Sequence, residues 1–477
     1  MKTTIVWVRR DLRIGDNAAL DYAAGRGAVL PVFVWDPAAD GDWLPGAASR
    51  VWLHHALRDL AAAYRAMGLR LLVCRGETIA TLADVLRRSG ADAVVWNRSY
   101  EPAAIATSTA VKSAVRAAGA EARSFPGAVL HEPPTITNRQ GLPFKVFTAF
   151  WKYCAALPPP APLPAPATLT APAGKPRGVS IDSLELLPRI RWDRPMLNDW
   201  TVSAAGARAE LEAFVNGSVE DYADGRDRPA VRGTSRLSAY LHFGQLTAAE
   251  IMARARRGNQ PASGGAEAFV RQLYWRDFAH HLLYHFPHMP ERALNASFDR
   301  FPWAESADGD GLLAAWQRGE TGYPLVDAGM RELWATGYMH NRVRMNVASF
   351  LVKHLLIHWR AGQSWFWDTL VDADLANNAM GWQWAAGCGV DAAPYFRIFN
   401  PVLQGERFDP AADYIARWVP ELSALPAKWR HKPAAASAAI LREGGVRLGR
   451  DYPRPVVDHQ EARASALAAF ATLKARA

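Results

Sequence analysis

The chain has 477 residues, half of them hydrophobic, and its 55 Lys and Arg outnumber its 46 Asp and Glu to give a formal net charge of +9. That length is too great for one ordinary core, so at least two domains are expected, and the basic balance points to a polyanionic partner. Cys74, Cys154 and Cys388 stand far apart with no CxxC spacing, which excludes a disulfide framework and a four-cysteine iron–sulfur cluster and fits a reducing cytoplasm. No apolar run approaches the roughly eighteen residues of a membrane span, and MKTTIVWVRRDLR holds no signal-length apolar stretch, so a soluble, cytoplasmic chain with no membrane partner is expected.

From Thr3 to Phe125, short strand-like runs (TTIVWV, AVLPVFVW, RLLVC, DAVVW, EARSF), several of them rich in β-branched residues, alternate with helix-periodic segments such as ASRVWLHHALRDLAAAYRAMG. This pattern predicts an α/β domain over residues 1–130, a doubly wound parallel sheet with helices on both faces. The turn after the first run reads RRDLRIGDN and lacks GxGxxG, so no dinucleotide is expected there. Residues 131–200 centre on PPPAPLPAPATLTAPAGKP, which reads as an extended, semi-rigid interdomain linker. Residues 201–477 turn to long helix-periodic segments broken by Gly and Pro, without internal repeats, and predict an all-helical domain.

The chemistry concentrates in that second half. DADLANNAMGWQW, Asp372 to Trp384, repeats Asp374, Asn378 and Trp382 at spacings of four, so on a helix an acid, an amide and an indole share one face, which suits a bound ring system and equally suits a buried helix whose indoles fill core. GTSRLS, Gly233 to Ser238, offers a glycine and hydroxyls at a helix start, which suits a pyrophosphate and equally suits an ordinary helix cap. Gln272, Trp275 and Arg276 stand at i, i+3 and i+4, and Asn341, Arg344 and Met345 repeat that spacing, so two helices can each present a polar, a charged and a bulky group to a shared hole. In HHLLYHFPH, His281 and His285 are four apart, but no HExxH or supporting carboxylate accompanies them, so packing is expected rather than a metal or a metal cluster.

DADLANNAMGWQWAAGCGVDAAPYFRIFNP resembles the flavin-binding signature of the photolyase and cryptochrome family. RGTSRLSAYLHFG, RQLYWRDF, TGYPLVDAGMRELWATGYMHNRVRMNVASFLVK and PFKVFTAF match the same family. The resemblance covers nearly the whole chain. It implies FAD, active in its reduced anionic form, with Tyr222, Thr234, Ser235, Arg236, Leu237 and Ser238 around its phosphates and ribityl chain. Arg276, Arg344, Asp372, Asp374 and Asn378 would meet the rest of the cofactor, with Arg344 and Asp372 as an ion pair and Asn378 near the flavin N5. Trp382, Trp359 and Trp303 match the family's electron-transfer triad, and WFW at 365 to 367 offers a branch. Trp275 and Trp384 resemble the rings that grip a flipped pyrimidine pair, Asn341 a partner of its bases, and Met345 an apolar contact; Arg226, Arg342 and Arg397 match positions that meet flanking DNA phosphates.

One departure bears on lesion choice. Common bacterial cyclobutane-dimer photolyases carry Glu where this chain has Gln272, whose amide still donates to a pyrimidine carbonyl; the histidine pair that (6-4) enzymes need is missing. The implied activity is therefore light-driven repair of cyclobutane pyrimidine dimers in UV-damaged DNA, by an enzyme most similar to the third class of these photolyases and expected to be a monomer. An antenna of folate or deazaflavin type is implied as optional, and Trp35, Trp43 and Trp52 are read first as packing residues. The alternative from another class is a cryptochrome photoreceptor signalling through a partner. Such receptors often append a disordered tail, whereas this chain still reads as helical after Asn400.

Overall fold

A computed structural model describes residues 2–174, 176–256, 264–304 and 311–475. The chain forms two compact units: Met1–Gly217 with Arg236–Pro287 and Val371–Ala376, and Ser218–Ser235 with His288–Leu370 and Asn377–Ala477.

In the first unit the five short runs become β1 (Lys2–Val8), β2 (Gly27–Trp35), β3 (Leu72–Arg75), β4 (Ala93–Asn97) and β5 (Glu121–Phe125). They pair in parallel in the order β3-β2-β1-β4-β5, with Ile5 opposite both Leu30 and Val94. The central strands are buried along nearly their whole length, as befits a parallel sheet covered on both faces. Strand order reverses between β1 and β4, which opens a crevice at their carboxyl ends. Arg9, Arg10 and Asp11 follow β1 there, and Arg98 to Glu101 follow β4.

The helix Ala47–Ala66 buries a stripe that includes Val51, Trp52, Leu57, Leu60 and Tyr64. Trp52 stacks on Phe243 and donates its indole N–H to Gln245 at 2.9 Å, which makes it core, as its packing reading expects. The Pro-rich segment is extended but not a loose tether. Asp16 N–H donates to Leu163 O at 2.9 Å, Val29 N–H to Thr170 O at 2.8 Å and Val179 N–H to Val73 O at 2.8 Å, so backbone bonds pin it along the first unit.

The long helix Gly264–His285 belongs to this unit and carries Gln272, Trp275 and Arg276. Its Asp277 is 1% exposed and accepts the His131 N–H at 3.0 Å, fastening the chain beyond β5 to the helix. Burial pushes this carboxyl up to about 7, against the pull of Arg276 and of the backbone N–H groups of His131 and Leu130. The folded state thus holds a proton that the unfolded chain, with an aspartate near 3.9, releases, and stability falls as pH rises from about 4 to about 7. Asp277→Asn keeps an acceptor for His131 and removes the ionisation. Urea unfolding is expected to show the variant gaining on the order of 2–4 kcal/mol relative to the parent near pH 8 and little near pH 4; equal differences at both would overturn this account.

The second unit is built of helices, among them Pro324–Thr336, Asn341–Lys353, Trp359–Thr369, most of Leu375–Ala386, Pro401–Phe408 and His459–Ala475. Among the described residues, its β pairing is confined to one isolated bridge between Leu448 and Tyr452. The sequence places Trp359 on one stripe with Asn341, Met345, Ala348 and Val352, and this needs correction. The helix stops at Lys353, Leu356 turns the chain at φ +51°, and His358 caps a new helix by accepting the Arg360 N–H at 3.1 Å. Trp359 is still buried, but on another element. Among the described residues no helix is long and apolar enough to cross a membrane, and no group of three or more His, Cys, Asp or Glu is placed to hold a metal.

Candidate functional site

In the first unit, Arg236 adopts φ +53°, pairs with Asp199 and lies 4.1 Å over the Trp200 ring. This anchors the turn before Leu237, which is buried, and Ser238, which is exposed and begins the short helix Ser238–His242. The helix start thus falls inside the GTSRLS run. Just beyond it, His242 converges with the far end of the chain. Asp374 Oδ2 lies 3.3 Å from His280 Nε2 and 3.9 Å from His242 Nδ1, and all three residues are buried. Burial opposes ionisation of Asp374, but His280, His242 and Arg276 outweigh it and hold the carboxyl well below the usual carboxylate range.

Arg276 donates to Ala128 O at 2.6 Å, which ties the helix to the loop after β5. One turn earlier, Gln272 donates its amide N–H to Ala268 O at 2.9 Å. Trp275 lies flat on Phe147, with centroids 3.6 Å apart and planes 10° from parallel, and Phe147 comes from the helix Phe147–Ala155. The indole therefore has a rigid backing on one face.

In the second unit, Gly233 packs against Gly225 so closely that a Cβ would sit 2.3 Å from the Gly225 carbonyl oxygen. Only glycine fits there. It fixes the approach of Thr234 and Ser235, both half-buried, while Tyr222 is buried with Arg226 5.5 Å from its ring. Arg344 donates to Met339 O at 2.7 Å. Asp372, its expected partner, belongs to the first unit. Asn341 is exposed and its amide reaches Met345 Sδ at 3.9 Å, which brings that predicted pair together. Asn378 donates to Gln363 O at 3.0 Å, while the Gln363 side-chain amide is fully buried and neither of its polar atoms has a hydrogen-bond partner among the described residues.

The tryptophans differ in setting. Trp382 is 2% exposed, packed edge-on against Phe366 at 5.0 Å and Trp316 at 6.1 Å. A Cβ on Gly362 would enter its ring at 2.0 Å, so the indole lies directly on the backbone of the helix that Trp359 begins. His358 stands between the other two, 5.4 Å from Trp359 and 5.1 Å from Trp303. Burial and Arg360 push His358 down to about 4, leaving a neutral ring there. Trp384 is half-buried. Arg342 pairs with Asp227 at 2.5 Å and covers Phe408 at 4.4 Å, and Arg397 is exposed while its carbonyl accepts Lys353 Nζ at 3.0 Å.

Two family profiles match the chain: one described as DNA photolyase over residues 4–167, the other as FAD binding domain of DNA photolyase over residues 269–472. A deoxyribodipyrimidine photo-lyase of Agrobacterium fabrum is 46% identical over 98% of each chain. The chain belongs to the photolyase and cryptochrome family. Within that family, Cryptochrome-2 of Arabidopsis thaliana is 39% identical over 97% of this chain and 78% of its own. The crystal structure of a bacterial class III photolyase from Agrobacterium tumefaciens superposes with a TM-score of 0.95 at 45% identity, covering 99% of this chain and 98% of that one. An archaeal photolyase from Sulfolobus tokodaii, solved with two FAD molecules, gives 0.81 at 30% identity over 98% of this chain and all of that one.

The chain thus carries the family's FAD-binding domain, and its donor set fits that group. Buried polar atoms are normally partnered, and the orphaned Gln363 amide beside Asn378 has the character of groups that meet a polar ring edge. Two features were not found from the sequence. His280 lies four residues beyond Arg276, so extending the Gln272–Arg276 stripe one turn reaches it, although HHLLYHFPH reads as packing. Phe147 lay inside PFKVFTAF without a role, and no local signal pairs it with Trp275.

Proposed function

We propose that this chain is a light-driven DNA-repair enzyme that splits cyclobutane pyrimidine dimers. Its near-full-length likeness to a deoxyribodipyrimidine photo-lyase carries the reading, and the class III photolyase fold supports it. FAD would be held by Tyr222, Thr234, Ser235, Arg236, Leu237 and Ser238 on its phosphate side and by Arg276, Arg344, Asp372, Asp374 and Asn378 on the other. When bound and reduced, it supplies on excitation the electron that opens the dimer and takes it back, with no net redox change.

The residues act by positioning. A dimer cannot be reached inside a duplex, so it is flipped out, at lower cost because the damaged pair stacks poorly. Trp275, backed on one face by Phe147, and Trp384 offer stacking faces; Gln272 and Asn341 offer amides to the bases and Met345 an apolar edge. Trp382, Trp359 and Trp303 would refill the flavin with electrons from the surface. Arg226, Arg342 and Arg397 would meet flanking phosphates, which supplies salt-dependent affinity. Arg342 is already held in place by Asp227 and Phe408.

Purified, photoreduced protein is expected to remove a defined thymine cyclobutane dimer in light and not in the dark, and to leave a (6-4) oligonucleotide intact. No repair of either lesion by protein whose FAD is bound and reducible would leave the photoreceptor reading. Trp275→Ala is expected to weaken binding of dimer-containing DNA by about 1–3 kcal/mol, the usual contribution of one base–aromatic stack. Undamaged duplex should bind unchanged in the same gel-shift series; equal losses on both would show that Trp275 acts on the fold instead.

A further inference from the structure

The crevice at the carboxyl ends of β1 and β4 holds, within the first unit, a pocket of about 40 Å³ lined by Arg10, Tyr100, Glu101, His242, His280 and Asp374 among others. A water needs on the order of 10–15 Å³ of such space and two to four polar partners, so the cavity has room for a small cluster. The lining supplies the partners. His242 Nδ1 and His280 Nδ1 are buried without a hydrogen-bond partner among the described residues. His242 Nδ1 stands 3.9 Å from Asp374, too far for a direct bond and a span that water can bridge. The charges facing this group are of both signs, and Glu101 is taken up by Arg10. Arg10, paired with Glu101, and Arg276 stand on the cationic side, while Asp374 and Asp372 stand on the anionic side.

We propose that the cavity is a hydrated proton site, in which water joins His242 and His280 to Asp374 and His280 takes up a proton from solvent when negative charge is placed on the flavin that Asp374 faces. The inference rests on the assignment of Asp374 to the FAD site. Beside a buried pair of imidazoles that already faces Asp374 and Asp372, one more anion favours the protonated ring, and water in the cavity would let the compensating proton arrive. Oxidised FAD becomes its anionic reduced form with two electrons, supplied by an external reductant, and one proton. Any further proton taken up in the same step must reside on the protein, and no bond to the flavin is made by it.

The midpoint potential of the bound flavin, titrated with dithionite between about pH 6 and pH 8, counts these protons. Each proton accompanying two electrons adds about 30 mV per pH unit. The parent protein is expected to exceed that slope and approach about 59 mV per pH unit, and His280→Gln to return it to about 30 mV. A parent slope that stays near about 30 mV throughout overturns the proposal without recourse to any variant, and so does a steep slope that His280→Gln leaves unchanged. Protein that purifies without flavin, and does not bind added FAD, would instead remove the assignment on which the proposal rests.

Discussion

Gly362→Ala is expected to slow photoreduction of bound FAD strongly while sparing dimer repair by protein reduced chemically beforehand. Alanine is the better helix former, so an exposed site would gain from the change. Here the new methyl would lie 2.0 to 2.5 Å from three carbons of the Trp382 ring. The ring has little room to retreat, since it is 2% exposed and braced by Phe366 and Trp316. Relief must come from moving the indole or the helix that begins with Trp359, and either separates two members of the proposed electron path. Overpacking of this kind costs about 1–3 kcal/mol of stability. Transient absorption of the flavin after a flash, read beside repair of a defined dimer, distinguishes the outcomes. Parallel loss of both would mean that the fold has been damaged, and no loss of photoreduction would remove Trp382 from the path.

The α/β half was legible because its evidence is local. The five short strand-like runs became five parallel strands, and Ala47–Ala66 formed over the stretch whose apolar residues recur at helical spacing. The break between Lys353 and Trp359 was not legible. His354-Leu-Leu-Ile-His358 holds no Gly or Pro, and the turn depends on Leu356 adopting a left-handed conformation that its side chain disfavours and that only the surrounding packing can impose. The docking of the Pro-rich segment was hidden for a related reason. Its composition sets an extended backbone, but the bonds that hold it, from Val29 to Thr170 and from Val179 to Val73, join residues more than a hundred positions apart in sequence. At the proposed site, residue types at helical spacing singled out Gln272 and Trp275, and also Asp374, which stands just before the helix Leu375–Ala386. The company they keep, His242, His280 and Phe147, depends on elements meeting from distant parts of the chain, and spacing within one helix carries no information about that.

Asp327→Ala should be among the most destabilising single changes in the second unit. The carboxylate is fully buried and accepts four hydrogen bonds: from Thr321 N–H at 2.7 Å, Thr321 Oγ1 at 2.6 Å, Gly322 N–H at 3.0 Å and the Tyr452 hydroxyl at 2.5 Å. Burial pushes its pKa up, and the bonds from Thr321 and Tyr452 pull against that shift. The network closes the TGYPLVD turn onto the C-terminal segment. Gly322, at φ +77°, lies so close to Arg454 that a Cβ would sit 2.5 Å from its backbone, so neither side of this contact can relax by a side-chain rotation. Alanine would strand two backbone N–H groups and two hydroxyls in a buried site, at a cost of about 3–5 kcal/mol. Tyr452→Phe removes a single donor and leaves the other three bonds intact, so about 1–2 kcal/mol is expected. Urea unfolding of the two variants should preserve that order. If Tyr452→Phe were as damaging as Asp327→Ala, the tyrosine ring and not the carboxylate would be what holds the C-terminal segment in place.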